Sequence, residues 1–454
     1  MHRLRARRRA LPPSWVATIG VSLMVASEYS VRRRAQGASL SGTADNAVVI
    51  ELAVYAVASA FMLLTLVRPP TGRRSAPVIV ALWGFTLSML LSAFWSPFTR
   101  LAVARGVQLV VVATLGHLVA QHATPRALSR LCHTFAVVMV LSVGIGIVLP
   151  FGSFPGAAGR FSWLYVHPNV AGGFLAIGAT VTLALLQRRR LGDLLAAPWR
   201  PSTYTVLLLI QVGGLLATRS RGSMTAVALG MGAVLIAGSR GRKRLDVVVV
   251  TTSVVTIVWL LAATDLVAFW DRGDSAAQLG SLNSRTEVWS QAWQLFGEKP
   301  LLGHGFMSAR GAFLETFGLG GAHNAFVEVL VNSGVFGTAW WIALVVLVVA
   351  GAVRAARAGL PDGPLLVGVV GALAGTAMTA GGLGQAATVQ NVWLFLVAGW
   401  VVAAPRLEWR MAAVDARVAR PATPLLASPR LAVSPPSGAA GTGTATPPPG
   451  LPSG

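Results

Sequence analysis

The sequence predicts an all-α, polytopic integral membrane protein of about twelve transmembrane helices, with one long external loop that contains amphipathic helices. Composition gives the first reason: 54% of the 454 residues are hydrophobic and 11% are charged, against roughly 25% charged in a soluble domain. Mean hydropathy is +0.66. The second reason is the recurrence of apolar runs near the ~20 residues that cross a bilayer. The third is a single exception to that pattern. Between Asp271 and Gly337 lies the only long polar segment inside the apolar chain, carrying Trp289, Trp293, His304, His323 and a group of arginines and carboxylates. Uninterrupted loops of this length are functional or disordered, and the helical signals in this one favour a folded, functional segment.

Taken in order, the candidate spans fall at 15–27, 47–67, 77–94, 106–120, 132–149, 170–187, 204–217, 223–238, 247–269, 335–353, 365–381 and 391–404. The five arginines before Trp15 and the apolar run after them resemble a signal peptide, but no A-x-A cleavage signal follows, so a retained first span is expected. Lys and Arg mark cytoplasmic loops. Most of the 37 basic residues fall on one side: Arg3 to Arg9, Arg68 with Arg73 and Arg74, Arg126 with Arg130, Arg188 to Arg190 with Arg200, Arg240 to Arg244, Arg354 with Arg357, and the tail. Both termini are therefore expected in the cytoplasm, in a multi-pass protein of the cytoplasmic membrane with its long loop outside. Arg32 to Arg34 are the one cluster that disagrees.

Three regions follow: a basic cytoplasmic N-terminus at 1–14, a membrane domain at 15–404 with its catalytic loop at about 270–334, and a tail at 405–454. The tail is rich in Pro, Ala, Gly, Ser and Thr, and is expected to be disordered. A net charge of +22 raises a nucleic-acid reading, but the basic residues form short clusters between apolar runs instead of covering a folded face, so no nucleic-acid partner is expected. Cys132 is the single cysteine, which excludes an intramolecular disulfide or a cysteine-based metal site.

The basic residues left outside carry the chemistry, because topology disfavours them there: Arg100, Arg105, Arg160, Arg219, Arg221, Arg272, Arg285, Lys299 and Arg310. Arg219 and Arg221 stand in TRSRG, a short turn at the membrane boundary. Each either snorkels to lipid phosphate or joins a pocket, and several guanidiniums converging there suit a lipid-linked phosphate or diphosphate. SRTEVWSQAWQLFGEKP reads as an amphipathic surface helix opened by Asn283 or Ser284 and ended by Gly297 and Pro300. Its tryptophans fit stacking on sugar rings, or interfacial anchoring, the commoner use of Trp. AHNAFVEVL places His323 and Asn324 at the start of a further helix, where a histidine serves as general base or as a structural group. His304, between glycines, fits a tight turn better than a positioned base. His167 precedes Pro168 and is expected in extended backbone. Asp271 and Asp274 flank Arg272 with no third carboxylate nearby, so no metal is assigned, and no cofactor motif is present.

Five segments together, LLSAFWSPFTRLAVARG, GRFSWLYVHPNVAGGFLA, TRSRGSMTAVALG, SRTEVWSQAWQLFGEKPLLGHGF and AHNAFVEVLVNSGVFG, resemble the O-antigen ligase and polymerase superfamily of bacterial membrane glycosyltransferases over about Leu82 to Trp400. The resemblance implies metal-independent transfer of a glycan from undecaprenyl diphosphate to an acceptor hydroxyl of a glycan or lipid. It implies His323 as base and Arg221 and Arg285 as diphosphate ligands. Arg160, Arg105 and Arg219 are secondary candidates for the same pocket, with Asn324, His304 and Trp289 in support. A transporter is the competing class, expected to carry ionisable groups deep in its spans. Here Glu51, Asp265 and Glu328 lie near span ends and His117 is the main interior exception. A non-catalytic scaffold for glycan assembly is the third reading.

Overall fold

The computed structural model describes residues 12–30, 46–66, 76–151, 159–239, 285–379 and 382–418, with Asp246 and Ser253; side chains are described up to 407. The expected span at 247–269, the clusters Arg3 to Arg9, Arg32 to Arg34, Arg68 to Arg74 and Arg240 to Arg244, the Asp271 and Asp274 pair, and the helix-opening Asn283 and Ser284 lie outside the described residues. The chain divides into two compact units, Met1–Trp409 and Arg410–Gly454. Of the second, only the end of the last helix is described.

The described residues are helical apart from turns and one isolated antiparallel bridge, Tyr29 with Tyr165. In chain order the helices are α1 (Trp15–Glu28), α2 (Asn46–Leu66), α3 (Pro77–Ser92), α4 (Thr99–His122), α5 (Pro125–Val148), α6 (Pro168–Arg190), α7 (Pro201–Ala217), α8 (Arg221–Gly238), α9 (Arg285–Glu298), α10 (Ser308–Phe317), α11 (Ala325–Arg357), α12 (Gly363–Thr379) and α13 (Val389–Val418). Proline opens α3, α5, α6 and α7, where its missing N–H would have no helical partner anyway. Every expected apolar run outside 247–269 coincides with a helix. Seven described helices are long and apolar enough to cross a membrane: α2, α3 with its 3-10 extension to Trp95, α4, α5, α6, α8 and α11. Shorter apolar helices are α1, α7 and α12. Helix α13 runs through Pro405 to Val418, past the boundary at 404 expected from composition.

Helix α6 is the centre of the bundle. In its apolar window 89% of residues are buried, against 17% in α2, which lies on the outside. Small residues set the close crossings, as expected where lipid gives helices no hydrophobic reason to associate. A Cβ on Gly116 would meet the Phe395 carbonyl carbon at 3.0 Å, bringing α4 against α13; one on Gly230 would meet the Ala372 Cβ at 2.9 Å, bringing α8 against α12. Trp393, Trp400, Tyr165, Tyr204, Phe135 and Phe174 fill the core. At one end of the bundle Arg188 ties α6 to Asp193 at 2.7 Å and to Asp362, which also accepts from Trp400 Nε1 at 2.9 Å.

The opposite end holds the break that shapes the site. Gly334 has φ 58° and ψ −160° inside α11, which separates a short first part from the apolar remainder. The segment Pro300–Gly305 fills the gap with main-chain bonds: His304 N donates to Val331 O and Gly305 N to Asn332 O, each at 2.9 Å, while Val335 N donates to Pro300 O at 2.8 Å. Gly303, at φ 67°, lies against this break so closely that a Cβ would stand 2.6 Å from Gly334 N. Only glycine combines that backbone region with that approach.

Candidate active site

The site starts from the turn between α7 and α8. Thr218 and Ser220 are buried there; the Thr218 hydroxyl donates to Leu215 O at 2.6 Å and accepts from Ser220 N at 3.2 Å. Arg219 between them sits at φ 48°, left-handed backbone that a branched-off side chain adopts only under constraint. Arg160 reaches this turn from the other side, donating through Nε to Thr218 O at 2.8 Å and through Nη2 to Asn169 Oδ1 at 2.9 Å. Gly222 packs against Thr379 at the end of α12. Arg285, the first residue of α9, donates through Nη2 to the carbonyl of the same Thr379 at 3.1 Å. Arg160, Arg219, Arg221 and Arg285, expected from sequence to share a pocket, are thus drawn to one turn.

His323 joins them through Arg285. Its imidazole is pushed down from 6.5 to about 4, first by burial and second by the Arg285 guanidinium, both of which disfavour the charged ring. The backbone at His323 is left-handed, φ 51°. Asn324 follows as the N-cap of α11, its Oδ1 accepting from Phe326 N at 3.0 Å and Val327 N at 3.3 Å, a cap that contributes about 1 kcal/mol. The peptide just before His323 is held on both sides. Trp289 Nε1 donates to Ala322 O at 3.0 Å, and the Glu328 carboxyl group lies near the Ala322 backbone N–H and the Gln385 side chain.

Helices α9 and α10 sit on this turn through a small apolar core of Val288, Ala292, Ala309, Phe313, Ala322 and Val327. The amphipathic helix expected from the sequence is therefore present, and Val288 and Ala292, four apart, form its buried stripe. Its two tryptophans differ. Trp293 is 54% exposed, as an interfacial anchor would be, whereas Trp289 turns inward to the Ala322 carbonyl, a role that composition and spacing did not indicate.

Two expected site residues lie elsewhere. Arg105 pairs with Glu51 at 2.6 Å and bonds Gln108 at 2.8 Å, forming with Glu28 and Arg310 a separate charged cluster. His304 donates through Nε2 to Leu295 O at 2.7 Å and stands 3.6 Å from Glu298, which makes it part of the Pro300–Gly305 turn. His167 caps α6 from extended backbone, φ −154°, accepting from Asn169 N at 3.0 Å. His117, the interior exception, accepts from Trp83 Nε1 at 3.1 Å and bonds the Gln121 amide. A cavity of about 290 Å³ lined by Ser92, Trp95, Leu302, Ser333 and Phe336 lies under the Pro300–Gly305 segment and includes none of the expected site residues.

Sequence reasoning did not assign Glu28, Arg310, Glu328 or Gln385 to a site. For Glu328 the sequence does carry a signal, a lone carboxylate in the apolar stretch FVEVLV five residues after His323.

Residues 204–342 match the family described as O-antigen ligase. Over this stretch the chain is similar to the O-antigen ligase family. The matched segment holds Arg219, Arg221, Arg285, Trp289, His304, Arg310, His323, Asn324 and Glu328, whereas Arg105 and Arg160 precede it. No curated protein matches the chain. The stretch that is similar to the O-antigen ligase family thus carries the turn, the amphipathic helix and the histidine of the site.

Proposed function

We propose that this protein transfers a glycan from undecaprenyl diphosphate to an acceptor hydroxyl at the external face of the cytoplasmic membrane, as an O-antigen ligase or a surface-polysaccharide polymerase. The observation that carries the reading is His323 beside Arg285, which shares the Thr379 anchor with the Arg221 helix start. His323 takes the proton of the acceptor hydroxyl as that oxygen bonds to the anomeric carbon. The bond from that carbon to the phosphate oxygen breaks, and the electron pair leaves with undecaprenyl diphosphate. Arg221 and Arg285, with Arg160 and Arg219 beside them, neutralise the charge gathering on the leaving group, a large electrostatic contribution in a site that is already organised. No step needs a cofactor.

Charge couples the two roles. Arg285 disfavours protonation of His323 while the site is empty. A diphosphate bound at Arg285 offsets that cation and makes the imidazole a better base once the donor has arrived. The competing transporter reading draws little support from His117, whose two nitrogens are engaged by Trp83 and Gln121.

The test is surface-glycan length and attachment in cells carrying His323→Ala or Arg285→Ala at matched membrane abundance. Loss of transfer supports the reading. Single repeat units left behind identify a polymerase, and long unattached chains a ligase. Normal glycan in both variants overturns it.

A further inference from the structure

Beside the His323 turn, on the Ala322 side, lies a second polar site of different charge. Glu328 is 1% exposed and its Oε2 has no hydrogen-bond partner. A buried polar atom without a partner calls for one. Over it stands Gly321, where a Cβ would come within 3.1 Å of both Glu328 oxygens and of Gln385 Nε2; the missing side chain lets a carboxyl group and an amide lie directly against the turn. Arg310 of α10 faces both Glu328 and Glu28 and is half-buried. Glu28, 7% exposed, lies near Val389 N at the start of α13 and faces Arg105, itself paired with Glu51.

Hydrogen-bonding capacity decides what these groups take. The carboxyl groups of Glu28, Glu51 and Glu328 lie around two guanidiniums, Arg105 and Arg310, with the Gln385 amide beside them. A neutral sugar suits such a set: its hydroxyls donate to carboxyl oxygens, and its oxygens accept from the Gln385 amide and the Arg310 guanidinium. Transfer also needs two substrates held around one base, and the arginine turn accounts for one of them.

We propose that Glu328, Gln385 and Arg310 around Gly321 form the acceptor subsite, which binds hydroxyls of a neutral sugar next to His323. This rests on the transfer reaction proposed above. Glu328 orients the sugar through Oε2 beside the Ala322 peptide that precedes the base.

The experiment measures equilibrium binding to the full chain in nanodiscs with two probes: neutral oligosaccharides released from the cell's own surface glycan, and inorganic pyrophosphate. Wild type is expected to bind both without competition. Glu328→Gln and Gly321→Ala should weaken oligosaccharide binding about tenfold or more, the loss expected for a hydrogen bond to a charged group, and leave pyrophosphate binding within about twofold. Arg310→Lys should weaken the oligosaccharide by a smaller factor, since it keeps the charge and loses the fork. Arg221→Ala should do the reverse of Glu328→Gln. Unchanged oligosaccharide binding in both Glu328→Gln and Gly321→Ala overturns the subsite, as does displacement of the oligosaccharide by pyrophosphate or a wild type that binds no oligosaccharide. Failure of the pyrophosphate arm alone, with the oligosaccharide pattern intact, counts against the donor site and not against this one.

Discussion

Two groups of arginines stand at the same end of the bundle, and they differ in what surrounds them. Around the Thr218–Arg221 turn, Arg160 and Arg285 rest on neutral oxygens, those of Thr218, Asn169 and Thr379. Around α10 and α4, Arg310 and Arg105 face Glu28, Glu328 and Glu51. The first group donates to main-chain and amide oxygens, while the second gathers around carboxyl groups. Position at one end of the bundle, the property both groups share, does not define an arginine's role; its partners do.

The largest expected effect separates the groups outright. His323→Ala and Arg285→Ala should each lower the rate of glycan transfer about a hundredfold or more, the usual weight of a general base or of a charge stabilised in the transition state, read as product formed in membranes of matched abundance. Arg105→Ala should leave donor KM unchanged and instead destabilise the protein by about 2 kcal/mol, between the values for exposed and buried pairs, because Glu51 loses its partner; thermal unfolding in detergent reports it. A rise in donor KM for Arg105→Ala would merge the two groups.

The pH profile sharpens the contrast next. Burial and Arg285 hold the His323 imidazole down near 4, so the free enzyme keeps it neutral above about pH 5. The acid limb of kcat/KM, which reports the free enzyme, should fall near pH 4 instead of near 6.5, the unperturbed value. Arg285→Gln removes one of the two causes and should move that limb upward in whatever activity remains. Smallest is the tryptophan pair. Trp289→Phe removes the bond to Ala322 O and should lower kcat roughly fivefold, about 1 kcal/mol, while Trp293→Phe, on the exposed side of the same helix, should leave kcat as it was.

Helices and the arginine turn were legible in the sequence because both are local. Apolar runs, N-terminal prolines and the TRSRG and AHN segments mark their own structure, and the His-Asn start of α11 is a capping signal. The Gly334 break follows the same logic, since the apolar run was expected to begin at 335, separate from the helix at His323. Pairing across the bundle was not legible. Arg105 was grouped with the diphosphate pocket because it lies outside in sequence, yet its partner Glu51 comes from a helix 54 positions away. The inward turn of Trp289 depends on how α9 rolls on Val288 and Ala292, which periodicity alone leaves open by the width of one residue.

The interruption of α11 at Gly334 is splinted from outside the helix. Main-chain bonds from Pro300–Gly305 reach Val331 and Asn332 before the glycine and Val335 and Phe336 after it, and do not depend on side-chain identity. The apolar rod and the histidine turn are therefore held in one register by peptide groups alone, so side chains along that segment are free to vary without shifting the reacting groups.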